Sequence, residues 1–283
     1  MADPNLSTII RVSSLPAYPD CPRRDAARSR LAEITAAGYD LRETGKSIGA
    51  AIGSGTHAAL ETAFRAKLAG ETFSDSEFTD RAGAEIDKAV AEGIIWDDTS
   101  RNVADAKRQT VKQARVIWDH FGDRIEPIAI EERVSADLGD GFILRGHIDV
   151  RGRITGYAAL TGEGIGDFKT GTIQRANAMQ YGGYSLTARA NGLTVNWAAE
   201  IYAKRVGVTK PQPDPVLVPY AVAEAERGAY EVAQKMKSDL QDFRRSASSW
   251  AFLPNPNSMN CSDKYCPAWG TEFCKAHKGE IEL

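Results

Sequence analysis

The chain of 283 residues is 42% hydrophobic, 26% charged and 8% aromatic, a globular composition with material for one large core or two modest ones. No run approaches the ~20 uninterrupted apolar residues of a membrane span, and MADPNLSTII lacks the basic-then-apolar order of a secretory leader, so membrane insertion and export are not expected. A net charge of -3 excludes a uniformly basic nucleic-acid binder, and four cysteines are too few for a disulfide scaffold.

Cys21 stands alone near the start, just ahead of an arginine-rich stretch, RRDAARSR at 23–30, that reads as the start of a helix. From Ile48 onward, Ile52, Leu60, Phe64 and Leu68 fall on a helical stripe, with glycine-rich irregularity just before His57. Residues 79–94 and 99–121 read as two further helices, the second carrying Val103, Ala114, Ile117, Trp118 and Phe121. The period then changes from 3.6 to 2. Ile128, Ile130 and Val134 alternate with polar neighbours, and Leu138-Gly139-Asp140-Gly141 is a turn signal. In FILRGHIDVRGRI, Phe142, Leu144, Ile148 and Val150 share one face of a strand, and Arg145, His147 and Asp149 share the other. A short strand at 164–169, a helix over about 174–190, a strand at 194–203 and an extended PVLVPYAV follow. A polar helix over about 223–246 precedes an irregular tail holding Cys261, Cys266 and Cys274. This order predicts an α/β fold with a mixed central sheet flanked by helices rather than a run of βαβ units.

Chemistry concentrates in GIGDFK. Residues two apart on a strand point the same way, so Asp167 and Lys169 project together, and Asp149 can converge on them from a neighbouring strand. Two carboxylates there make a hard-oxygen site for Mg²⁺ or Mn²⁺, and a lysine beside them can position or help deprotonate a water and offset phosphate charge. The plainer reading of Asp167 and Lys169 alone is a strand-edge ion pair. His57 alone reads as a core histidine, and Gln180 and Tyr184, at i and i+4, share one helical face. Four thiols are the number that fills one tetrahedral metal site or one iron–sulfur cluster; zinc and unligated cysteines are the other readings. Arg23, Arg24, Arg28, Arg30, Lys204 and Arg205 are candidates for a local phosphate-binding stripe. No G-x-x-x-x-G-K-[ST] helicase motif is present.

Taken in order, SSLPAYPDCPRR (13–24), GSGTHAALE (53–61), GHID (146–149), GDFKTG (166–171), QYGGY (180–184) and CSDKYCPAWGTEFC (261–274) resemble the RecB-type nucleases of the PD-(D/E)XK superfamily. The likeness is to the iron–sulfur branch that includes the AddB nuclease domain and the CRISPR-associated adaptation nuclease. The resemblance implies a restriction-endonuclease-like core, with its N- and C-terminal segments joined by a four-cysteine metal cluster. His57, Asp149, Asp167 and the Phe168 carbonyl would bind Mg²⁺ or Mn²⁺, with Asp149, Asp167 and Lys169 catalytic. Gln180 and Tyr184 would support the site or touch the DNA strand. Cys21, Cys261, Cys266 and Cys274 would hold a [4Fe-4S] cluster, with His277 a less fitting stand-in ligand and zinc the rival metal. The tail spacing, C-x4-C-x7-C, is looser than the C-x2-C start common in that branch, and a glycine-rich insertion separates Asp149 from Asp167.

The expected organisation is one nuclease domain over 1–283: a helical part at 13–120, a catalytic core at 125–221, and a helix with the cysteine cluster at 222–283. The expected activity is metal-dependent exonuclease cleavage of single-stranded or frayed DNA in recombination, repair or replication, in a bacterial or phage-infected cytoplasm. The alternative is a DNA-binding or assembly module that keeps the nuclease fold and acts through a recombination or replication partner protein.

Overall fold

A computed structural model describes residues 7–175 and 177–275; His277 lies outside them. The chain begins with β1 (Thr8–Arg11), α1 (Pro22–Ser29) and α2 (Leu31–Ala36). A two-residue strand, β2 (Lys46–Ser47), leads into α3 (Ile48–Ala69), followed by α4 (Asp75–Ala91), β3 (Ile94–Ile95) and α5 (Val103–Phe121). The core strands follow as β4 (Ile125–Gly139), β5 (Phe142–Ile154) and β6 (Gly164–Gly171). Then come α6 (Ala178–Ala190), β7 (Trp197–Lys204), β8 (Val216–Tyr220) and α7 (Val222–Ser246). The α/β class and the mixed sheet match expectation; most helix boundaries move by a few residues to where caps exist. Asn102 accepts from the Asp105 amide and starts α5 there, and Ser74 and Glu77 close a capping box on α4.

Three local expectations change. Val150, read onto one face with Phe142, Leu144 and Ile148, packs in the core on the opposite side of the sheet from them, because alternation breaks across the left-handed Glu131 and the position opposite it. The glycines before His57 do not interrupt the helix: α3 runs unbroken through them, and a Cβ on Gly55 would sit 2.6 Å from the Ala82 carbonyl oxygen, so glycine there lets α4 lie close. Leu68, read onto the buried stripe, is exposed in the last turn of α3, beyond the reach of the core.

The long strand β5 organises the sheet. One of its edges pairs antiparallel with β4 along almost its whole length, through a tight turn in which Gly139, Asp140 and Gly141 all have positive φ. A strand has two edges, so β5 shares the other: β1 runs parallel to Phe142–Arg145, and β6 pairs antiparallel with Val150–Gly152. Between these partners, residues 146–149 are unpaired on that edge among the described residues. β6 continues through α6 to a parallel β7, and β8 closes the sheet antiparallel to β7. Pro219 is tolerated in β8 because an edge strand needs no second set of ladder donors.

Helices cover both faces of the sheet. On one side Leu60, Phe64, Phe78, Ile117 and Phe121 pack on Ile130, Val150, Phe168 and Ile201. On the other, Tyr181 and Tyr184 of α6 and Met236, Leu240 and Phe243 of α7 pack on Leu144, Ile148 and Ile165. The α6–α7 approach depends on Gly182, where a Cβ would fall 1.9 Å from the Ala225 carbonyl oxygen. The tail joins this second core through Phe252 and Phe273, which meet Phe243 at ring-centroid distances of 5.4 and 6.2 Å. No helix among the described residues is long and apolar enough to cross a membrane.

Candidate active site

The site lies where β5 and β6 part. Their last paired residues are Val150 and Gly166, so Asp149 and Asp167 stand at the fork. The Phe168 amide donates to Asp149 Oδ2 at 2.8 Å, and that oxygen also lies 3.1 Å from His57 Nδ1. His57 reaches it from α3, while the Phe168 ring turns away from the cleft and stacks on Phe64 at 5.5 Å. Side-chain alternation therefore places Phe168 in the core and Asp167 and Lys169 on the face toward α6.

Asp167 is 1% exposed and fully engaged. Lys169 Nζ lies 2.6 Å from its Oδ2, Gln180 Nε2 donates to Oδ1 at 3.2 Å, and the Tyr181 hydroxyl donates to Oδ2 at 3.3 Å. Gln180 Nε2 also donates to the Tyr184 hydroxyl at 2.8 Å, which makes the i, i+4 pair one hydrogen-bonded unit. His57, Asp149, Asp167, Lys169, Gln180 and Tyr184 all line a single open cleft.

Three residues were missed by the sequence reading. Tyr181 bridges Asp167 to Glu200 of β7, which is 1% exposed and also accepts from Asn177 and Tyr220. The register pairs Asp167 with Glu200, a relation set by the β6–α6–β7 crossover and invisible to local pattern. The third is Glu131. It lies in β4 across from Asp149, between the pairs Ile130–Val150 and Glu132–Ile148, and has φ 53°. A left-handed non-glycine in mid-strand costs roughly 1–2 kcal/mol, so surrounding contacts must hold it. His147 Nε2 does so, 3.1 Å from Glu131 Oε2 and 2.9 Å from its carbonyl oxygen. The alternation that placed His147 beside Asp149 was the available signal; the backbone turn that aims Glu131 inward was not.

His57, Glu131 and Asp149 each offer a ligand atom within 4.8 Å of the others. Two carboxylates and an imidazole suit a hard divalent ion such as Mg²⁺ or Mn²⁺. Asp167 stands outside this trio, held by Lys169. The charges are strongly coupled. Burial alone would lower His57, but Asp149 overrides it and holds the imidazole up at about 9. Burial opposes ionisation of Asp149, and His57 with Lys169 outweighs it, so Asp149 sits below the usual carboxylate range. Burial dominates at Asp167, which sits above that range despite Lys169. Lys169, desolvated but flanked by Asp167 and Asp149, is held above its ordinary value.

Apart from the cleft, Cys21, Cys261, Cys266 and Cys274 line one small cavity with Arg24, Pro254, Asn255 and Ser258. Burial, reinforced by the three neighbouring sulfurs, pushes the Cys266 thiol up to about 11. The segments around this cavity are stitched together: Asn255 Nδ2 donates to the Asp20 carbonyl at 2.8 Å, and Ser258 Oγ to Asp20 Oδ2 at 2.7 Å.

Several of the expected phosphate-binding cations are engaged internally instead. Arg23 donates to the Phe252 carbonyl at 2.9 Å and Arg24 to Ser258 Oγ at 2.8 Å, both buried beside the tail. Arg205 is buried in an ion pair with Asp97 at 2.6 Å. A run of arginines in sequence does not reveal which of them meet an internal acceptor.

No curated protein matches the chain. The crystal structure of SSO0001 is similar over 80% of this chain and 84% of that one, at 10% identity and a TM-score of 0.30, a likeness too slight to bear on mechanism. The family model of the PD-(D/E)XK nuclease superfamily matches residues 10–271, a span that includes Asp149, Asp167 and Lys169 at the strand fork and His57 on the facing helix. The chain therefore belongs to the PD-(D/E)XK nuclease superfamily.

Proposed function

We propose that the protein is a Mg²⁺- or Mn²⁺-dependent DNA exonuclease of the RecB-type iron–sulfur branch, built as one domain and acting on single-stranded or frayed ends. The observation that carries this reading is the fork itself. Asp149 and Asp167 flank the last β5–β6 pair, with Lys169 on one side and the His57–Glu131–Asp149 trio on the other.

In this reading His57, Asp149, Asp167 and the Phe168 carbonyl hold the ion, with Glu131 added to the set. A bound divalent ion supplies Lewis-acid polarisation of a phosphoryl oxygen and a more acidic water. The chain's own residues do the rest. Phe168 N–H and His57 fix the Asp149 carboxylate, so its oxygens need little reorganisation when a ligand arrives. Gln180 and Tyr181 fix Asp167 in the same way. The Lys169 ammonium keeps its proton at neutral pH, which suits it to orient the attacking water and to offset charge on the phosphate rather than to act as a base. Hydrolysis by in-line attack of that water would leave 5′-phosphate and 3′-hydroxyl ends.

The four cysteines around one cavity are consistent with a [4Fe-4S] cluster that staples Cys21 to the tail. Protein prepared without oxygen should then be brown; a colourless preparation that retains zinc would assign the site to zinc instead. The nuclease reading is tested with purified protein, end-labelled single-stranded DNA and Mg²⁺ or Mn²⁺, beside Lys169→Ala. Metal-dependent loss of label that Lys169→Ala abolishes is the expected result. DNA left intact, or digested equally by both proteins, would reject it.

A further inference from the structure

Beside the carboxylate cleft lies a second cavity of about 790 Å³, framed by β1, the end of α1, β4, β5 and α6. Arg11, Arg30, Arg133 and Arg145 line it, and no carboxylate does. In a chain whose net charge is -3, four arginines gathered around one cavity are a strong local field; Arg30 also feels Glu33 and Asp25, whereas Arg133 and Arg145 are exposed. Register produces the arrangement. Arg11 pairs with Arg145 across β1 and β5, and Arg133 pairs with His147 across β4 and β5. Arg30 closes the end from α1, with Nη2 fixed on the Ile9 carbonyl at 2.6 Å.

The same two strands run on into the cleft, although strict alternation of faces breaks at the left-handed Glu131 and the Asp149 opposite it. Arg145, His147 and Asp149 follow one another at every second residue of β5, as do Arg133 and Glu131 on β4. Arg145 thus lies roughly 14 Å along the strand from Asp149 at about 3.4 Å per residue. Ser13, His147 and Tyr184 line both cavities, so the two are continuous. The unpaired edge of β5 at 146–149 is the opening between them.

We propose that this cavity holds a single DNA strand, its phosphates on Arg11, Arg30, Arg133 and Arg145, and leads it past His147 and Tyr184 to the carboxylate cleft. The proposal rests on the nuclease reading above and adds to it the residues that hold the strand and the path it takes to the cleft. At about 790 Å³ the half-open cavity is of the size that takes ligands of small-molecule dimensions, room for nucleotides of one strand. Planar guanidinium groups suit paired hydrogen bonds to phosphate oxygens, and they carry affinity without sequence preference.

The test is fluorescence anisotropy of a labelled single-stranded oligonucleotide and its duplex, in EDTA so that nothing is cut. Arg133→Gln/Arg145→Gln should bind the single strand about tenfold more weakly than the parent. Each lost phosphate contact on a single strand changes the salt slope by about 0.7, so the slope should become shallower by about 1.4. Charge reversal at the same two exposed positions should weaken binding further; if that variant melts early, the glutamine pair carries the test. No binding by the parent, unchanged affinity and slope in the glutamine pair, or duplex held as tightly as the single strand would each overturn the proposal. Because binding is read without cleavage, failure of the two readings separates. A chain that binds through the arginines but never cuts removes the nuclease and keeps the strand site. One that cuts while ignoring the arginines does the reverse.

Discussion

The carboxylate cleft and the cysteine cavity solve the same problem, holding several ligand-type side chains together, by opposite means. The cleft takes its residues from the middle of the chain, on strands and helices whose register fixes them: Asp149 on β5, Asp167 and Lys169 on β6, His57 on α3 and Gln180 on α6. The cysteine cavity draws on the two ends of the described chain, with Cys21 capping α1 and the other three in turns of the tail. Around the cleft the functional side chains sit on strands held by backbone pairing to their neighbours. Around the cavity there is little regular structure to persist, and the ends are joined by loop hydrogen bonds such as those to Asp20. The difference teaches where to expect chemistry without stability, and stability without chemistry.

The sharpest contrast comes from one substitution at each place. Lys169→Ala removes a side chain that is more than a quarter exposed and whose strand is held by β7. Cleavage should fall by about 10³-fold or more, on the scale of losing a positioned charge at a reacting centre, while the melting temperature stays within a few degrees. Cys266→Ser acts in the buried second core. With the four thiols holding a metal group as proposed, it should cost roughly 4 kcal/mol or more, loss of a metal being one of the few mechanisms that reach that size, and lower the melting temperature by roughly 10 °C. The fraction still folded should cut DNA at the parent rate. If Cys266→Ser melts like the parent but loses cleavage, the two regions are coupled and the contrast fails.

How much of this was legible in the sequence follows the same division. Period-2 alternation in FILRGHIDVRGRI and GIGDFK was enough to place Asp149, Asp167 and Lys169 on facing strands, because side-chain direction on a strand is a local property. Gln180 and Tyr184 were legible for the corresponding helical reason. Glu131 was not, since its direction depends on a left-handed residue inside a strand, which no propensity predicts. Tyr181 and Glu200 were not, because they meet through a parallel crossover whose register is tertiary. β1 was missed as well: four residues, TIIR, become a strand only because β5 offers them half an edge. Arginines were the least readable. Arg23, Arg24 and Arg205 found internal partners, while Arg30, an expected candidate, lines the open cavity with Arg145, expected only beside Asp149, and with Arg11 and Arg133, which were not expected there.

Glu131→Gln sharpens the account of the cleft itself. The amide keeps the shape and can still meet His147, but it gives up the anionic oxygen of the trio. Mn²⁺ affinity measured by calorimetry should weaken about tenfold, within the range for ligand-shell changes, with the fold intact. Unchanged Mn²⁺ affinity would leave Glu131 a purely structural residue.

A pH slope probes the cysteine end without touching a thiol. Asp25 lies one turn beyond Cys21 in α1, donating its amide to the Cys21 carbonyl at 3.1 Å. Burial pushes its carboxyl up to about 6, against a hydrogen bond from Ser29 and the nearby Arg30, Arg24 and Arg28. The folded chain thus binds this proton more tightly than the unfolded chain, whose aspartate titrates near 3.9. Below about pH 4 both states are protonated and the full contribution to stability is present. Between about pH 4 and 6 the unfolded state releases its proton first, so stability falls as pH rises, and the loss is complete above the folded value. Asp25→Asn, neutral at every pH, should remove that slope and raise stability at pH 7 by on the order of 2 kcal/mol. Melting curves of the two proteins between pH 4 and 7 decide it: parallel curves would mean that Asp25 is solvated well enough to ionise freely. Diverging curves would show that α1 is held at the cysteine end by a packing that tolerates a neutral side chain better than a charged one.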